Sequence, residues 1–288
     1  MLLFKNYSCV VAFFLLSVLY MSGKVNATPI VGGEVIYSPE YAAPKYPYMV
    51  SLQDIHDPTS TPNIRLYQHF CGGTLLNEFW IVTAAHCLWH KNLARIAAVI
   101  GHESLSSAAE NNSRYAVDRA EFIYYRPTNI RNDIALLHLK EPYKMATAMD
   151  GLEKHVFGNL PPADVKLNGA SCNIIGYGAT QYAGESQDRL IEGKVKTITK
   201  QECVEILGRI LAPPHDETTL CALGLNQDTC QGDSGGPLIC KFNDTSFIVG
   251  VVSHGLTCGI TGIPSIYTSI VPYLEWISLV INDKNAET

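Results

Sequence analysis

Three residue types able to share a proton-transfer chain stand in distinctive local strings: His86 in TAAHC (residues 83–87), Asp133 in NDIALL (132–137) and Ser234 in GDSGGP (232–237). A serine hydroxyl is a poor nucleophile at neutral pH, so Ser234 needs a base within hydrogen-bond reach, and an imidazole with an ordinary pKa of about 6.5 suits that task. A carboxylate behind the imidazole would orient the ring and stabilise its cation. Glycines around Ser234 let the backbone turn tightly, so the amides of Gly232 and Ser234 can converge on an oxygen that gains negative charge. Taken singly, His86 reads as a hydrogen-bonded histidine, Asp133 as a turn or cap residue and Ser234 as part of a Gly-rich turn. The combination in this order is what points to nucleophilic acyl transfer.

These residues are far apart in sequence, so the fold must bring them to one cleft. From residue 30 onward the chain is built of short β-branched and aromatic runs broken by Gly, Pro, Asn and Asp, among them YMVSLQ, WIVTAA, IAAVIG, DIALLHL, SCNIIGYG, GKVKTI, FIVGVVSHG and SIYTSI. This is an all-β signature. Pro161-Pro162 separates strand-rich stretches at about residues 46–140 and 171–270, which predicts two β units joined by a linker. After Pro272, Tyr273, Leu274, Trp276, Ile277, Val280 and Ile281 recur at helical spacing and predict one closing amphipathic helix. The segment Asp54–Gln68, with two prolines and several small polar residues, is expected to be a long exposed loop.

Composition narrows the function classes. The 288 residues are 47% hydrophobic and 17% charged, which excludes disorder, collagen and coiled coil as the main architecture. Beyond residue 29 the chain carries 19 basic and 27 acidic side chains, so nucleic acid is not an expected partner. Lys5 precedes a 13-residue apolar run, residues 9–21, too short to span a bilayer and suited to a secretory signal. Val25 and Ala27 suit a signal-peptidase site, which places the expected cut after Ala27 and leaves Thr28-Pro29 ahead of Ile30. The product is expected to be secreted and extracellular, with no membrane attachment after signal removal. Eight cysteines remain, Cys71, Cys87, Cys172, Cys203, Cys221, Cys230, Cys240 and Cys258. An even number in a secreted chain implies disulfides, and wide spacing with no CxxC pair argues against zinc. Asn111 and Asn243 head N-glycosylation sequons.

Together with IVGG (residues 30–33), CGG (71–73) and Ser253-x-Gly255, the three strings resemble the chymotrypsin/trypsin-like serine proteases over essentially all of residues 30–288. The resemblance implies two packed antiparallel six-stranded β-barrels with a C-terminal helix, about 30–150 and 160–288. It also implies His86, Asp133 and Ser234 as the catalytic triad and Gly232 and Ser234 as oxyanion donors. The implied disulfides are Cys71–Cys87, Cys172–Cys240, Cys203–Cys221 and Cys230–Cys258. The expected partners are peptide or protein substrates and protein protease inhibitors, the expected state is a monomer, and no cofactor is required. The loop matching residues 101–110 binds calcium in some relatives, but GHES departs from their pattern and no calcium site is expected.

In the family a new amino terminus at the position of Ile30 pairs with the aspartate matching Asp233 and orders the oxyanion loop, since a buried unpaired carboxylate costs several kcal/mol. Here Pro29 replaces the usual Arg or Lys before the cut, so an aminopeptidase removing the X-Pro dipeptide Thr28-Pro29 is the expected activator. Asp228 matches the pocket-floor aspartate of trypsin-like members and would select Arg or Lys, with Gly255 keeping one wall open. Three departures, Ser265 for glycine, His254 for tryptophan and Thr229 for a smaller residue, imply a narrowed pocket that still prefers a basic side chain. The competing readings are a non-catalytic homologue that binds proteins, against which the complete triad argues, and a chymotrypsin-like or elastase-like preference, against which Asp228 argues.

Overall fold

The computed structural model describes residues 29–36, 44–56, 66–110, 113–144, 156–213, 216–256 and 258–283. The expected signal, Thr28 and the sequon asparagine Asn111 lie outside them.

The first barrel closes in the order β2 (Met49–Ile55), β3 (Tyr67–Leu75), β4 (Trp80–Thr83), β7 (Ala135–Leu139), β6 (Tyr115–Phe122) and β5 (Ile96–Ile100), with β5 returning to β2. The second contains β8 (Ser171–Gly176), β9 (Ile191–Ile198), β10 (Thr219–Gly224), β13 (Ser265–Ser269), β12 (Thr245–His254) and β11 (Pro237–Phe242). It closes because β8 pairs with both β9 and β11. The two-residue strand β1 (Glu34–Val35) adds to β9. All pairings within the barrels are antiparallel, so this is the expected pair of six-stranded barrels. On β9 buried and more exposed residues alternate, as a strand with one face toward a barrel interior requires.

Each barrel has its own apolar filling: Val50, Leu52, Ile81, Ile100, Leu136 and Leu139 in the first, and Ile174, Ile191, Leu238, Val249 and Tyr267 in the second. The helix Leu274–Ile281 follows a 3-10 turn at Val271–Tyr273, where Pro272 fits because a first-turn amide has no partner to lose. Although it ends the second half of the chain, Tyr273 and Ile277 join the core of the first barrel and tie the two halves together.

Two expectations need correction. The segment Asp54–Gln68 is not wholly a loop: Asp54 pairs with Gln68 and Ile55 with Tyr67, extending the β2–β3 ladder, and residues 57–65 lie outside the described part. The ladder continues because its outer residues find partners, with Lys91 Nζ bound 2.6 Å from Asp54 Oδ2. Strands β6 and β10 and the helix Lys200–Leu211 are additional to the elements read from sequence. That helix opens with a capping box in which Thr199 and Glu202 satisfy each other's amides.

Candidate active site

The site lies where three segments from both barrels meet. His86 sits in the single helical turn Ala85–Leu88 just after β4, Asp133 in the approach to β7, and Ser234 in the loop between β10 and β11. Close backbone approach explains the glycines: a Cβ on Gly72 would lie 2.9 Å from the Gly236 backbone, and one on Gly235 would lie 2.5 Å from the Gly72 carbonyl oxygen. Only residues without side chains let strand β3 and the serine loop touch this way, and the Gly72 amide then donates to the Ser234 carbonyl at 2.7 Å.

His86 and Asp133 are joined twice. His86 Nδ1 lies 2.8 Å from Asp133 Oδ2, and the His86 amide donates to Asp133 Oδ1 at 2.9 Å. Ser253 Oγ donates to Asp133 Oδ2 at 2.5 Å. Burial by itself would raise the Asp133 carboxyl, but the His86 ring bond, the charge of His86, Ser253 and the His86 amide outweigh it and hold the group below its ordinary range. Asp133 is only 1% exposed, whereas His86 is 32% exposed, so the ring faces the cleft while its orienting carboxylate is sealed. Two outside contacts and one left-handed residue fix the Asp133 segment. Thr268 Oγ1 donates to the Asp133 carbonyl at 2.8 Å, Tyr273 OH donates to Asn132 Oδ1 at 2.8 Å, and Asn132 itself adopts φ 53°.

The disulfide Cys71–Cys87 lies under the site, with Cys87 Sγ 3.7 Å from both His86 Nε2 and the Ser234 carbonyl oxygen. His86 Nε2 and the Ser234 carbonyl thus flank the same sulfur, although no hydrogen bond joins the Ser234 hydroxyl to His86 among the described residues. The amides of Gly232 and Ser234 likewise donate to no protein acceptor among those residues, and Gly232 adopts φ 97°, a conformation suited to glycine.

His69 stands in no motif of the sequence, yet it packs against the serine loop. It is fully enclosed, with Nδ1 2.8 Å from Ser51 Oγ and Nε2 2.9 Å from the Gly232 carbonyl oxygen. Burial lowers its pKa to about 4 despite the opposing pull of that carbonyl, so the ring is neutral at pH 7 and donates from Nε2 to Gly232. No local motif marks it, and only the long-range approach of β3 to the serine loop makes it visible.

Asp233 is completely buried, and its carboxylate accepts from the Gly178 and Cys230 amides, each at 2.9 Å. Burial pushes its carboxyl up to about 7, partly opposed by those two bonds. Ile30 is also fully buried, in the second-barrel core. The adjacent Val31 forms a β-bridge with Asp228, and Gly32 accepts from Gln227 Nε2 at 2.9 Å. The IVGG segment therefore packs against the segment that carries Asp228.

Asp228 receives three donors: Ser265 Oγ at 2.5 Å, the Thr229 amide at 2.9 Å and the Gly259 amide at 3.0 Å. Thr229 Oγ1 donates in turn to Ser265 Oγ at 3.1 Å. These donors serve the buried carboxylate without a cation beside it. Burial nonetheless keeps its carboxyl above the ordinary value. Gly255 is exposed beyond the end of β12, and His254 is half-buried beside it.

All four disulfides pair as the resemblance implied: Cys71–Cys87, Cys172–Cys240, Cys203–Cys221 and Cys230–Cys258. Cys172 and Cys240 stand directly opposite each other on β8 and β11. Asn243 is exposed at the tip of the β11–β12 hairpin. No helix among the described residues is long and apolar enough to cross a membrane.

Comparison with protein families agrees with this geometry. The family model described as Trypsin matches residues 30–277, beginning at the buried Ile30 and ending inside the closing helix, and the chain belongs to that serine-protease family.

Proposed function

We propose that the protein is a secreted serine endopeptidase that cleaves peptide bonds through an acyl-enzyme, after Arg or Lys held in a narrowed pocket. The observation that carries this reading is the hydrogen-bonded chain Ser253–Asp133–His86 beside Ser234, with two free amides at Gly232 and Ser234.

In the mechanism, His86 Nε2 takes the Ser234 hydroxyl proton as Oγ attacks the substrate carbonyl carbon. Asp133, ionised and buried, stabilises the imidazolium through Nδ1–H. The carbonyl oxygen becomes an oxyanion held by the Gly232 and Ser234 amides, a form of stabilisation worth roughly 3 to 4 kcal/mol per donor. The imidazolium then protonates the leaving amine, and the C–N bond breaks to leave the acyl group on Ser234. Water, deprotonated by His86, attacks that ester, and Ser234 recovers its proton as the acid departs.

Asp228 is the acidic group at the pocket floor. Its three donors leave part of the carboxylate's acceptor capacity for a cationic substrate side chain, and Ser265 shortens the approach.

Activation follows removal of Thr28-Pro29. In the uncleaved chain Ile30 is held at φ 41°, which costs a β-branched residue on the order of 1 to 2 kcal/mol. Scission of the Pro29–Ile30 bond removes the preceding carbonyl and supplies an ammonium to Asp233, which pairs with no cation among the described residues.

The test is digestion of a randomised peptide library by the processed chain, with Ser234→Ala as control and products read by mass spectrometry. Cleavage after Arg or Lys, lost in the control, is expected. Cleavage after other residues would overturn the specificity, and no cleavage would overturn the protease reading in favour of a protein-binding homologue.

A further inference from the structure

His254 stands where the family resemblance leads one to expect tryptophan, and its ring is tied into the site. Its Nδ1 lies 3.0 Å from Ser253 Oγ, whose other partner is Asp133 Oδ2. Ser253 has a single hydroxyl proton. Asp133 is held ionised, so it can only accept, and the serine proton points at it. Ser253 then has only lone pairs to offer His254, so His254 Nδ1 must carry a hydrogen.

The result is one directed chain: His254 Nδ1–H donates to Ser253, Ser253 donates to Asp133, and Asp133 also accepts from His86. The remaining nitrogen, Nε2, has no partner among the described residues. The ring lines a cleft of about 750 Å3 together with Thr128, Asn129, Arg209 and Pro213. The charged groups facing His254 are Asp133 and His86 behind it and Arg209 across the cleft. Burial keeps its imidazole below the ordinary histidine range, with the Asp133 charge opposing and that of His86 adding, so the neutral Nδ1–H form prevails at pH 7.

We propose that His254 is a positioning residue for Asp133: by donating to Ser253 it locks the serine hydroxyl onto the carboxylate and sets how much of that charge remains for His86. A hydroxyl whose lone pair is already engaged cannot rotate away, and donation into it makes its own proton a stronger donor. This inference rests on the serine-protease reading. It goes beyond that reading in making a residue outside the triad a determinant of the triad's proton affinity.

The test compares wild type with His254→Phe, His254→Trp and His254→Asn. Phenylalanine removes the donor, tryptophan restores the family's aromatic wall, and asparagine returns an N–H near the position of Nδ1. Two readouts are used: the pH profile of kcat and kcat/KM on a short peptide substrate, and the downfield proton resonance of His86 Nδ1–H in a Ser234→Ala background.

Losing the donor leaves more charge on Asp133, which favours protonated His86. His254→Phe and His254→Trp are therefore expected to move the acid limb upward, to lower kcat about threefold to tenfold at pH values below that limb without lowering its plateau, and to shift the resonance. His254→Asn is expected to recover all three. Identical behaviour of the phenylalanine and asparagine variants, or changes in KM alone with an unmoved resonance, would overturn the proposal and leave His254 as a cleft wall. Absent turnover in wild type with a responsive resonance would overturn the protease reading and leave the hydrogen-bond chain standing.

Discussion

Asp133 shows how one side chain gathers its chemistry from several parts of the fold. Its oxygens receive the ring and amide of His86 and the hydroxyl of Ser253, and its charge is useful only because these donors compensate its burial. Asp133→Asn, which keeps the shape but removes the charge and permits the wrong imidazole tautomer, is expected to lower kcat by about four orders of magnitude at neutral pH. Steady-state kinetics would check this, and a loss under tenfold would remove Asp133 from the mechanism. At the pocket, Ser265→Gly takes one donor from Asp228 and restores depth. It is expected to raise kcat/KM for an Arg substrate about threefold to tenfold and to lower it for small side chains. An unchanged ratio between the two substrates would show that Ser265 does not limit the pocket. His86, Asp133 and Ser234 were legible because each carries a characteristic string. His69 and the Ser265–Thr229–Asp228 bonds were not, because β3 must approach the serine loop, and β13 the pocket floor, before those residues have partners.

At the scale of elements, β-branched and aromatic runs broken by turn residues made most of the strands legible, but not β6, β10 or the helix Lys200–Leu211. In the sequence YAVDRAEF of β6, Asp118, Arg119 and Glu121 interrupt the apolar residues, since most of the strand is half-exposed, and its pairing with Ala135–Leu139 is settled by long-range contact. The helix announced itself only through Thr199 and Glu202, the ends of a capping box. Its last turn is interrupted at Gly208, with φ 74°. The β11–β12 hairpin turns through Asn243 and Asp244 at φ 47° and 66°, a two-residue turn with both centres left-handed. Asp244→Gly relieves the second centre while keeping the Asn-x-Thr sequon. It is expected to stabilise the fold by about 0.5 to 1 kcal/mol in urea unfolding. Destabilisation would mean that the exposed Lys241–Asp244 ion pair outweighs backbone strain.

For the whole molecule, the buried Asp233 carboxyl links activation to stability. Its folded-state pKa of about 7 lies above the ordinary value of 3.8, so in the uncleaved chain the fold favours the protonated form. The resulting stability is fully present below about pH 4 and is lost as pH rises to about 7, a change of several kcal/mol. Uncleaved Ser234→Ala protein is expected to show a Tm that falls across this window, more steeply than the same protein carrying Asp233→Asn. Equal slopes would mean that Asp233 is already compensated. Two β units followed from the strand-rich halves and the Pro161-Pro162 linker, and their barrel form from the family resemblance, whereas the role of the closing helix as a tie onto the first barrel did not follow, because its apolar stripe says only that it packs, not on what.

The central claim is that Ser234 is a nucleophile activated by His86 once Ile30 becomes the amino terminus. A fluorophosphonate probe, read by mass spectrometry of the modified peptide, tests it most directly. The account predicts rapid modification of Ser234 in the processed chain, slow or absent modification in the uncleaved chain, and none in His86→Ala. Equal labelling of processed and uncleaved protein would contradict the activation step, and no labelling of folded, processed protein would contradict the claim itself.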